Sequence, residues 1–175
     1  MKLKHLFLIL LLITALLSGC QFNNNDDSQA PTIKVTTNGQ EINCIGMISD
    51  DSPNEADLSI FTELITSKNE LCFVNLGENI ELSCEFATEL SEITLYDRIL
   101  TDAGLNKYDN ELTQELKVEL DKNKGSFSLN SSSAAFLGSD SRDFESGETL
   151  RGFSFSLEHD GKDYLYCFAV HTDAA

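Results

Sequence analysis

The chain has 175 residues, of which 12 are Lys or Arg and 29 are Asp or Glu, so its formal net charge is −17 at pH 7. So acidic a chain should repel nucleic acid, whose phosphates are bound by clustered Lys and Arg, and should also repel an anionic membrane surface. Eleven Phe and four Tyr provide large side chains for a core, and the length suits one domain. The composition therefore favours one acidic globular domain and argues against a nucleic-acid-binding protein.

An apolar leader opens the chain. Lys2 and Lys4 precede the twelve-residue run LFLILLLITALL at positions 6–17. The run is too short to cross a bilayer, which takes about 18 apolar residues or more, and it is typical of the central region of a secretory signal peptide. Residues 17–20, Leu-Ser-Gly-Cys, resemble the lipobox of bacterial lipoproteins. The resemblance implies that a signal peptide of residues 1–19 is removed and that the thiol of Cys20 receives a diacylglyceryl group.

Lipidation would place the domain on the extracytoplasmic face of the bacterial cell membrane, with attachment to an outer membrane as the alternative. Because one acyl chain anchors only marginally, stable attachment takes two or more. Residues 20–31 comprise the lipidated cysteine and a polar stretch without apolar periodicity, which predicts a flexible tether. Removal of Lys2 and Lys4 would leave 10 basic against 29 acidic residues, a net charge of about −19. We therefore expect a membrane-anchored domain of residues 32–175.

The first predicted strands flank an Asn-Gly turn. Residues 32–37, TIKVTT, alternate apolar and polar side chains, and residues 41–47 form a second strand-like run after Asn38 and Gly39. Asn-Gly between two such runs is a strong hairpin signal because both residues tolerate positive φ. We therefore predict a hairpin at the start of the domain.

One helix is predicted after this hairpin. Residues 52–55, Ser-Pro-Asn-Glu, form a capping-box pattern with Pro at the first helical position. The helix should continue to about Ser67. Its apolar face should consist of Ala56, Ile60, Phe61, Leu64 and Ile65.

Strand patterns dominate the rest of the chain. Residues 112–120 fit either a helix face or a strand, and the surrounding strands favour a strand. Residues 130–147 are rich in Ser, Asp and Gly and predict a long loop, interrupted by apolar residues at 134–137. Asp160-Gly161 between two apolar runs predicts a second hairpin. The other predicted strands comprise residues 71–76, 80–86, 93–100, 125–129, 153–157 and 164–170.

About eight short strands with little helix predict an antiparallel β-sandwich. The pattern of residues 70–170 resembles an immunoglobulin-like domain. The chain also resembles small surface lipoproteins of Gram-positive bacteria in one strand motif and in a closing hairpin motif. We therefore expect a mostly β, immunoglobulin-like antiparallel β-sandwich with one short helix. The matching residues are Gly77, Ile80, Leu82 and Cys84 in the strand and Gly161, Tyr166 and Phe168 in the hairpin.

Four cysteines remain once Cys20 is assigned to the lipid. Cys44, Cys72, Cys84 and Cys167 would lie in an exported domain, where disulfides persist, and four cysteines allow three connectivities. Their spacing contains no CxxC pattern and no nearby His pair, which argues against zinc. We predict two disulfides, with buried free thiols acting as small apolar side chains as the alternative.

The last turn decides which way Cys167 faces. A two-residue turn at Asp160-Gly161 would pair Ser154 with Cys167 and place Cys167 on the sheet face opposite Phe153. A three-residue loop with a glycine bulge would instead pair Phe153 with Cys167 and turn the cysteine inward. A slip of one residue thus reverses every side chain, and the sequence leaves both registers open.

The immunoglobulin resemblance favours one connectivity. It implies a bridge between Cys84 and Cys167, which requires the bulged hairpin, and it leaves Cys44 and Cys72 as the second pair. Each bridge would contribute about 2–4 kcal/mol to the free energy of unfolding.

The acidic loops contain the candidate metal ligands. Asp140, Asp143, Glu145 and Glu148 lie close together in one loop, and two more aspartates lie at 50–51. Calcium takes six to eight oxygen ligands, usually from such loops, but this spacing matches no EF-hand and lacks its glycine. A solvated loop is therefore the favoured interpretation, calcium is the weaker alternative, and we predict no cofactor.

Catalytic motifs are missing from the sequence. It contains no G-x-S-x-G, H-E-x-x-H, P-loop or G-x-G-x-x-G pattern. His159 adjoins the second predicted turn and His171 lies near the C-terminus, and we expect both to be exposed and away from any nucleophile. The sequence therefore favours a non-catalytic protein.

Location and architecture together suggest a class of function. We expect a membrane-anchored binding or adhesion module whose partner is a protein or an envelope component. An accessory or structural subunit of an envelope complex is the alternative, and an enzyme of unrecognised type is less favoured. Fold alone does not identify a ligand, because function depends on the site.

Overall fold

The chain forms nine strands, one α-helix and three short 3₁₀ helices within the part described by the structure, a computed structural model. The described residues are 30–49, 52–54, 59–67, 71–85, 89–139 and 141–174, without the side chains at 142 and 143. The strands are β1 (Ile33–Thr37), β2 (Gln40–Ile42), β3 (Cys44–Ile48), β4 (Asn79–Cys84), β5 (Glu92–Leu100), β6 (Gln114–Glu119), β7 (Lys124–Ser128), β8 (Thr149–His159) and β9 (Lys162–Thr172). The helix α1 is Ser59–Thr66, and the 3₁₀ helices are Asn110–Leu112, Ser133–Leu137 and Ser141–Phe144.

The strands form two antiparallel sheets. The four-stranded sheet has the order β2-β1-β4-β7, and the five-stranded sheet has the order β3-β9-β8-β5-β6. One apolar cluster takes side chains from both sheets, as expected when two half-buried sheets pack face to face. The predicted mostly β, antiparallel sandwich with one α-helix is therefore confirmed.

Both predicted hairpin turns are present. Asn38 and Gly39 have φ values of 49° and 79° and connect β1 to β2. Asp160 and Gly161 have φ values of 52° and 71° and connect β8 to β9. Positive φ at both central residues is the signature of a type I′ turn, whose twist matches that of the flanking strands.

The predicted single strand at 41–47 is wrong, because the chain changes sheets at Asn43. Before it, Ile42 pairs with Val35 of β1 in the four-stranded sheet. After it, Cys44 pairs with Phe168 of β9 in the five-stranded sheet. The alternation of side chains continues through the crossing, so the sequence pattern did not reveal it.

The predicted strand at 71–76 is also wrong. This segment makes one isolated parallel bridge, between Phe73 and His171. The amide of His171 donates to the carbonyl of Cys72, and the amide of Val74 donates to the carbonyl of His171, both at 2.9 Å. Two backbone hydrogen bonds hold the segment beside β9, but they are too few for a strand.

The ambiguous segment 112–120 resolves as predicted. A 3₁₀ turn ends at Leu112, and β6 follows and pairs with β5. The long stretch 130–147 contains two of the 3₁₀ helices, and its residues Ala134 and Ala135 pack in a small cluster with Ile99. The apolar interruption of this loop therefore covers the end of the sheet.

Helix α1 covers the outer face of the five-stranded sheet. Pro53, the predicted first helical residue, lies in a turn, and the predicted helix residues Glu55 and Ala56 lie outside the described residues. Ile60, Phe61 and Leu64 are buried as predicted. Gly152 of β8 lies beneath the helix, and a Cβ there would be 2.7 Å from Phe61 Cε1. The absence of a side chain at Gly152 therefore lets the helix approach the sheet.

The inner core is stabilised by stacked aromatic rings. Phe153 and Phe168 stack with centroids 4.9 Å apart, and Phe155 and Tyr166 stack at 5.2 Å. Such pairs add to the roughly 1.5–3 kcal/mol that burial of each large apolar side chain contributes. The fully buried inner residues also include Val35, Val74, Ile80 and Leu95.

One ion pair is buried at the end of this core. Arg151 Nε donates to Asp97 Oδ1 at 3.0 Å, and Arg151 Nη2 donates to Asp97 Oδ2. Arg151 Nη1 donates to the carbonyl of Asn130, so the guanidinium is satisfied on three nitrogens. Exposure is 1% for Asp97 and 2% for Arg151. A buried charge requires such pairing, and the bridge fixes the 130–137 loop to the sheet.

Candidate binding groove

A groove lies on the outer face of the four-stranded sheet. Its volume is about 880 Å³. The polar side chains of β1, β4 and β7 form the floor, since their apolar neighbours point into the core. The turn between β6 and β7 forms one wall. The lining residues are Lys34, Thr36, Gly39, Glu81, Leu82, Ser83, Glu119, Leu120, Asp121, Lys124, Gly125 and Ser126.

Two cross-strand rows organise the floor. In the first row, Ser83 of β4 pairs with Lys34 of β1 on one side and with Lys124 of β7 on the other. Both lysines are exposed, and among the described residues neither makes an ion pair within 4.0 Å. The row therefore presents two ammonium groups on either side of a hydroxyl.

The second row is acidic and lies two residues along the strands. Glu81 pairs with Thr36 on one side and Ser126 on the other. Thr36 Oγ1 donates to Glu81 Oε2 at 3.4 Å, which directs the carboxylate toward β1. The floor thus changes from basic to acidic along the strand direction.

The wall of the groove comes close to β7 at Gly125. A Cβ at this glycine would be 2.5 Å from the carbonyl oxygen of Glu119. Lys122 and Asn123 take positive φ in the turn, at 50° and 61°. The turn therefore folds back tightly and places Glu119 and Asp121 at the groove.

These groove residues were missed in the sequence. Alternation in β1 and β4 identifies Lys34 and Ser83 as outward-facing residues, which is the signal that could have found them. The sequence does not show that β1 and β7 flank β4, because these strands are far apart in the chain. Sheet order is therefore what brings the two lysines together.

The four cysteines are thiols in the structure and lie on two sides of the five-stranded sheet. Cys72 and Cys84 belong to the inner core, and Cys44 packs against it. Cys167 is buried on the outer face beneath α1. The predicted Cys84–Cys167 bridge is therefore wrong, because the sheet separates its partners.

The register explains this result. The hairpin has the two-residue turn, so Ser154 pairs with Cys167 and Phe153 pairs with Phe168. Cys167 then faces away from Phe153, as that register predicts. Since Cys167 is alone on its face among the four, no pairing that uses all four agrees with the structure, and the prediction of two disulfides is corrected.

The thiols are poor nucleophiles. Burial raises the pKa of Cys84 to about 11 and that of Cys167 to about 12, although Arg98 partly opposes the shift at Cys167. Burial also raises the pKa values of Cys44 and Cys72. Because the thiolate is the reactive form, burial lowers the reactivity of all four side chains.

Arg98 is a second buried guanidinium, on the helix-covered face. Its Nη2 donates to the carbonyl of Pro53 at 2.7 Å and to Ser154 Oγ at 2.9 Å. Its Nε and Nη1 are buried and have no hydrogen-bond partner among the described residues. The guanidinium carbon lies 5.5 Å from the centroid of the Phe61 ring. Burial lowers the pKa of Arg98, an effect partly offset by Cys167 and Asp97.

The acidic loop does not assemble a metal site within the described residues. Glu145 and Glu148 are exposed, whereas Asp140, the side chain of Asp143 and the aspartates at 50–51 lie outside the described residues. No group of three or more His, Cys, Asp or Glu that could hold a metal occurs among the described residues.

His159 and His171, the histidines within the described residues, have structural partners. His171 Nδ1 lies 2.9 Å from the carbonyl oxygen of Gly147, and Asp173 Oδ1 accepts hydrogen bonds from Gly147 N and Ser146 Oγ at 2.8 Å. His159 Nε2 lies 3.4 Å from Asp160 Oδ2 in the turn. Both are half-buried rather than exposed as predicted. These contacts stabilise a loop and a hairpin.

The leader and Cys20 lie outside the described residues. Among the helices that the structure describes, none has the length and apolar character needed to cross a membrane. Comparison of the sequence with protein-family models and with curated proteins found no match. The inference of function therefore depends on the chain's own residues.

Proposed function

We propose that the chain is a lipid-anchored, extracytoplasmic and non-catalytic binding module. Its groove would bind an extended segment of a partner protein. The observation that carries this proposal is the groove on the outer face of the four-stranded sheet, which no described helix covers. Its volume of about 880 Å³ is within the range of ligand sites.

The groove chemistry suits a polypeptide. Charged and hydroxyl side chains alternate across its floor and offer both hydrogen-bond donors and acceptors. None of its lining residues is aromatic, whereas sugar rings and bases are commonly bound by stacking on aromatic faces. The two rows are two residues apart along the strands, which matches the side-chain repeat of an extended peptide.

Binding rather than catalysis fits the lining residues. Ser83 and Ser126 are the lining hydroxyls on β4 and β7, and no His or Cys lies among the lining residues. A serine nucleophile needs an adjacent base within hydrogen-bond reach. The groove therefore has donors and acceptors for recognition but no histidine to activate its serines.

The lipobox supports the proposed location. The sequence Leu-Ser-Gly-Cys at 17–20 would make Cys20 the lipidated N-terminus, and residues 20–31 would tether the sandwich to the membrane surface. At about 5–6 Å × √n, such a tether would reach roughly 18 Å. The groove would then act close to the membrane.

The anchor is tested with Cys20→Ser in the producing cell. Fractionation and metabolic labelling with a clickable fatty acid are compared with the unaltered chain. We expect the variant to lose both the label and its place in the membrane fraction. A variant that stays membrane-bound and labelled would refute lipidation at this cysteine.

The groove is tested by photo-crosslinking in intact cells. A photoreactive phenylalanine analogue replaces Ser126 in the groove or, as the control, Glu158, which is exposed in the β8–β9 hairpin. We expect one discrete crosslinked protein from Ser126 and none from Glu158. The same product from both positions, or a product from Glu158 alone, would contradict the groove as the binding surface.

A further inference from the structure

The basic row of the groove can converge on one anion. Lys34 and Lys124 flank Ser83 in the strand register. Adjacent strands are about 4.8 Å apart, so the two lysine Cα atoms are separated by roughly 10 Å. The lysine side chain is long enough for both ammonium groups to reach an anion above the hydroxyl.

The charges around this row make it unusual in the chain. The whole chain carries 29 acidic against 12 basic residues, yet among the described residues neither Lys34 nor Lys124 has a carboxylate within 4.0 Å. In the register, Asp121 is paired with Lys124 through two backbone hydrogen bonds, and Glu81 lies on the diagonal to both lysines and is hydrogen-bonded to Thr36. An anion at this position would gain charge-assisted hydrogen bonds that the protein itself does not provide.

The neighbouring acidic row specifies what should follow the anion. Glu81 lies two residues from Ser83 along β4, a rise of roughly 7 Å. In an extended peptide, side chains on one face repeat at the same distance. A peptide running along the strands would therefore place one side chain over the basic row and the next over the acidic row.

We propose that Lys34, Ser83 and Lys124 form a subsite for the carboxylate of an acidic side chain in an extended peptide. Glu81 then accepts a basic side chain two residues away in that peptide. The inference rests on the proposed function, because it identifies the peptide class that the groove would bind. The ligand is a strand-forming segment in which Glu or Asp and Lys or Arg are two residues apart.

The test uses a blocked peptide in which Glu and Lys alternate at every second position, with Thr between them. Amide shifts of the ¹⁵N-labelled domain are followed by NMR as the peptide is added. We expect saturable shifts at Lys34, Ser83 and Lys124. In the double variant Lys34→Met/Lys124→Met, we expect the affinity to fall about tenfold or more, since two charge-assisted hydrogen bonds are lost.

A matched double variant controls for the overall charge. Lys117→Met/Lys162→Met removes the same charge outside the groove and should retain the affinity. If both double variants bind the peptide equally weakly, the loss of affinity reflects the overall charge of the protein. This result would overturn the subsite. Full affinity for a peptide with Gln in place of Glu would overturn it as well.

Inorganic phosphate is the second probe. If phosphate causes saturable shifts of the same amides and the peptide does not displace it, the row is an anion site unrelated to peptides. The proposal then fails. Crosslinking from Ser126 separates the two claims. If the partner crosslinks there while peptide binding is unchanged in the double variant, the groove stands and the subsite is wrong.

Discussion

The outer faces of the two sheets differ in what covers them. On the five-stranded sheet, helix α1 buries Phe61 and Leu64 against Leu165 and its neighbours. On the four-stranded sheet no helix covers the outer face among the described residues, and Lys34 and Glu81 are exposed in a groove. The helix-covered face therefore contributes to stability, whereas the outer face of the four-stranded sheet is the surface that we propose for recognition.

Two arginines that are buried in the described part of the chain differ in how well their charges are paired. Arg151 faces the inner core and pairs with Asp97 through two hydrogen bonds. Arg98 faces α1, and its hydrogen-bond acceptors among the described residues are the carbonyl of Pro53 and the hydroxyl of Ser154. A paired buried charge is costly to break, whereas a poorly satisfied one costs stability while present. Five substitutions sharpen these contrasts, beginning with the largest expected effect.

Asp97→Asn should have the largest effect, because it leaves the Arg151 guanidinium buried without its carboxylate. We expect a loss of about 3–5 kcal/mol in the free energy of unfolding, measured by urea denaturation. Asp109→Asn is the control, since Asp109 is exposed and should change stability by no more than about 0.5 kcal/mol. Equal losses of stability at both positions would show that the Asp97–Arg151 pair does not stabilise the fold.

Leu64→Ala removes apolar contacts between α1 and the sheet. Leu64 has 0% exposure, so we expect the free energy of unfolding to fall by about 2–5 kcal/mol. The variant loses the burial of the removed methyl groups and leaves a cavity. Leu105→Ala is the control, because Leu105 is 51% exposed. If the two variants unfold at the same urea concentration, α1 does not stabilise the covered face.

Gly152→Ala places a methyl group against Phe61. Since that Cβ would be 2.7 Å from the ring and 2.7 Å from Leu100 Cδ1, overpacking should cost about 1–3 kcal/mol. Adding Phe61→Leu should recover part of the loss, which a double-mutant cycle by thermal or urea unfolding would measure. Strict additivity of the two changes would argue against direct contact.

These stability predictions show where sequence reasoning succeeds. The Asn38-Gly39 and Asp160-Gly161 turns were predictable because local residues alone determine a type I′ turn. The apolar face of α1 followed from helical spacing at Ile60, Phe61 and Leu64. Each of these features depends on residues close together in the chain.

Features that depend on distant residues could not be predicted. The switch of sheet at Asn43 leaves the alternation of side chains intact, so one strand was expected where there are two. The Asp97–Arg151 pair joins residues 54 positions apart. The groove likewise required the order β1-β4-β7, which the sequence does not specify.

Arg98→Met should have a smaller effect than the core variants. The substitution removes Nε and Nη1, for which the described part of the chain offers no hydrogen-bond partner, while Ser154 Oγ continues to donate to the carbonyl of Pro53 at 2.6 Å. We expect a change within about 1 kcal/mol, or a gain, because an apolar side chain of similar length replaces a buried charge. A loss of about 3 kcal/mol or more by urea denaturation would mean that Arg98 has an anionic partner.

Groove substitutions should have the smallest effect on stability. Lys34→Met/Lys124→Met changes two exposed side chains, so the free energy of unfolding should shift by no more than about 0.5 kcal/mol for each. Crosslinking of the partner from Ser126 should nevertheless decrease in this variant. A large loss of stability with unchanged crosslinking would mean that the two lysines serve the fold and not recognition, which would contradict the contrast between the two faces.

Hydrogen exchange on the purified complex tests the central claim most directly. The crosslinked partner is identified, the complex is reconstituted, and amide exchange is compared with that of the free domain. If the outer face of the four-stranded sheet is the recognition surface, amide exchange in the complex should slow in β7, Lys124–Ser128, and in the turn before it. Exchange in α1 should be unchanged. Protection gained in α1 with none in β7 would contradict it.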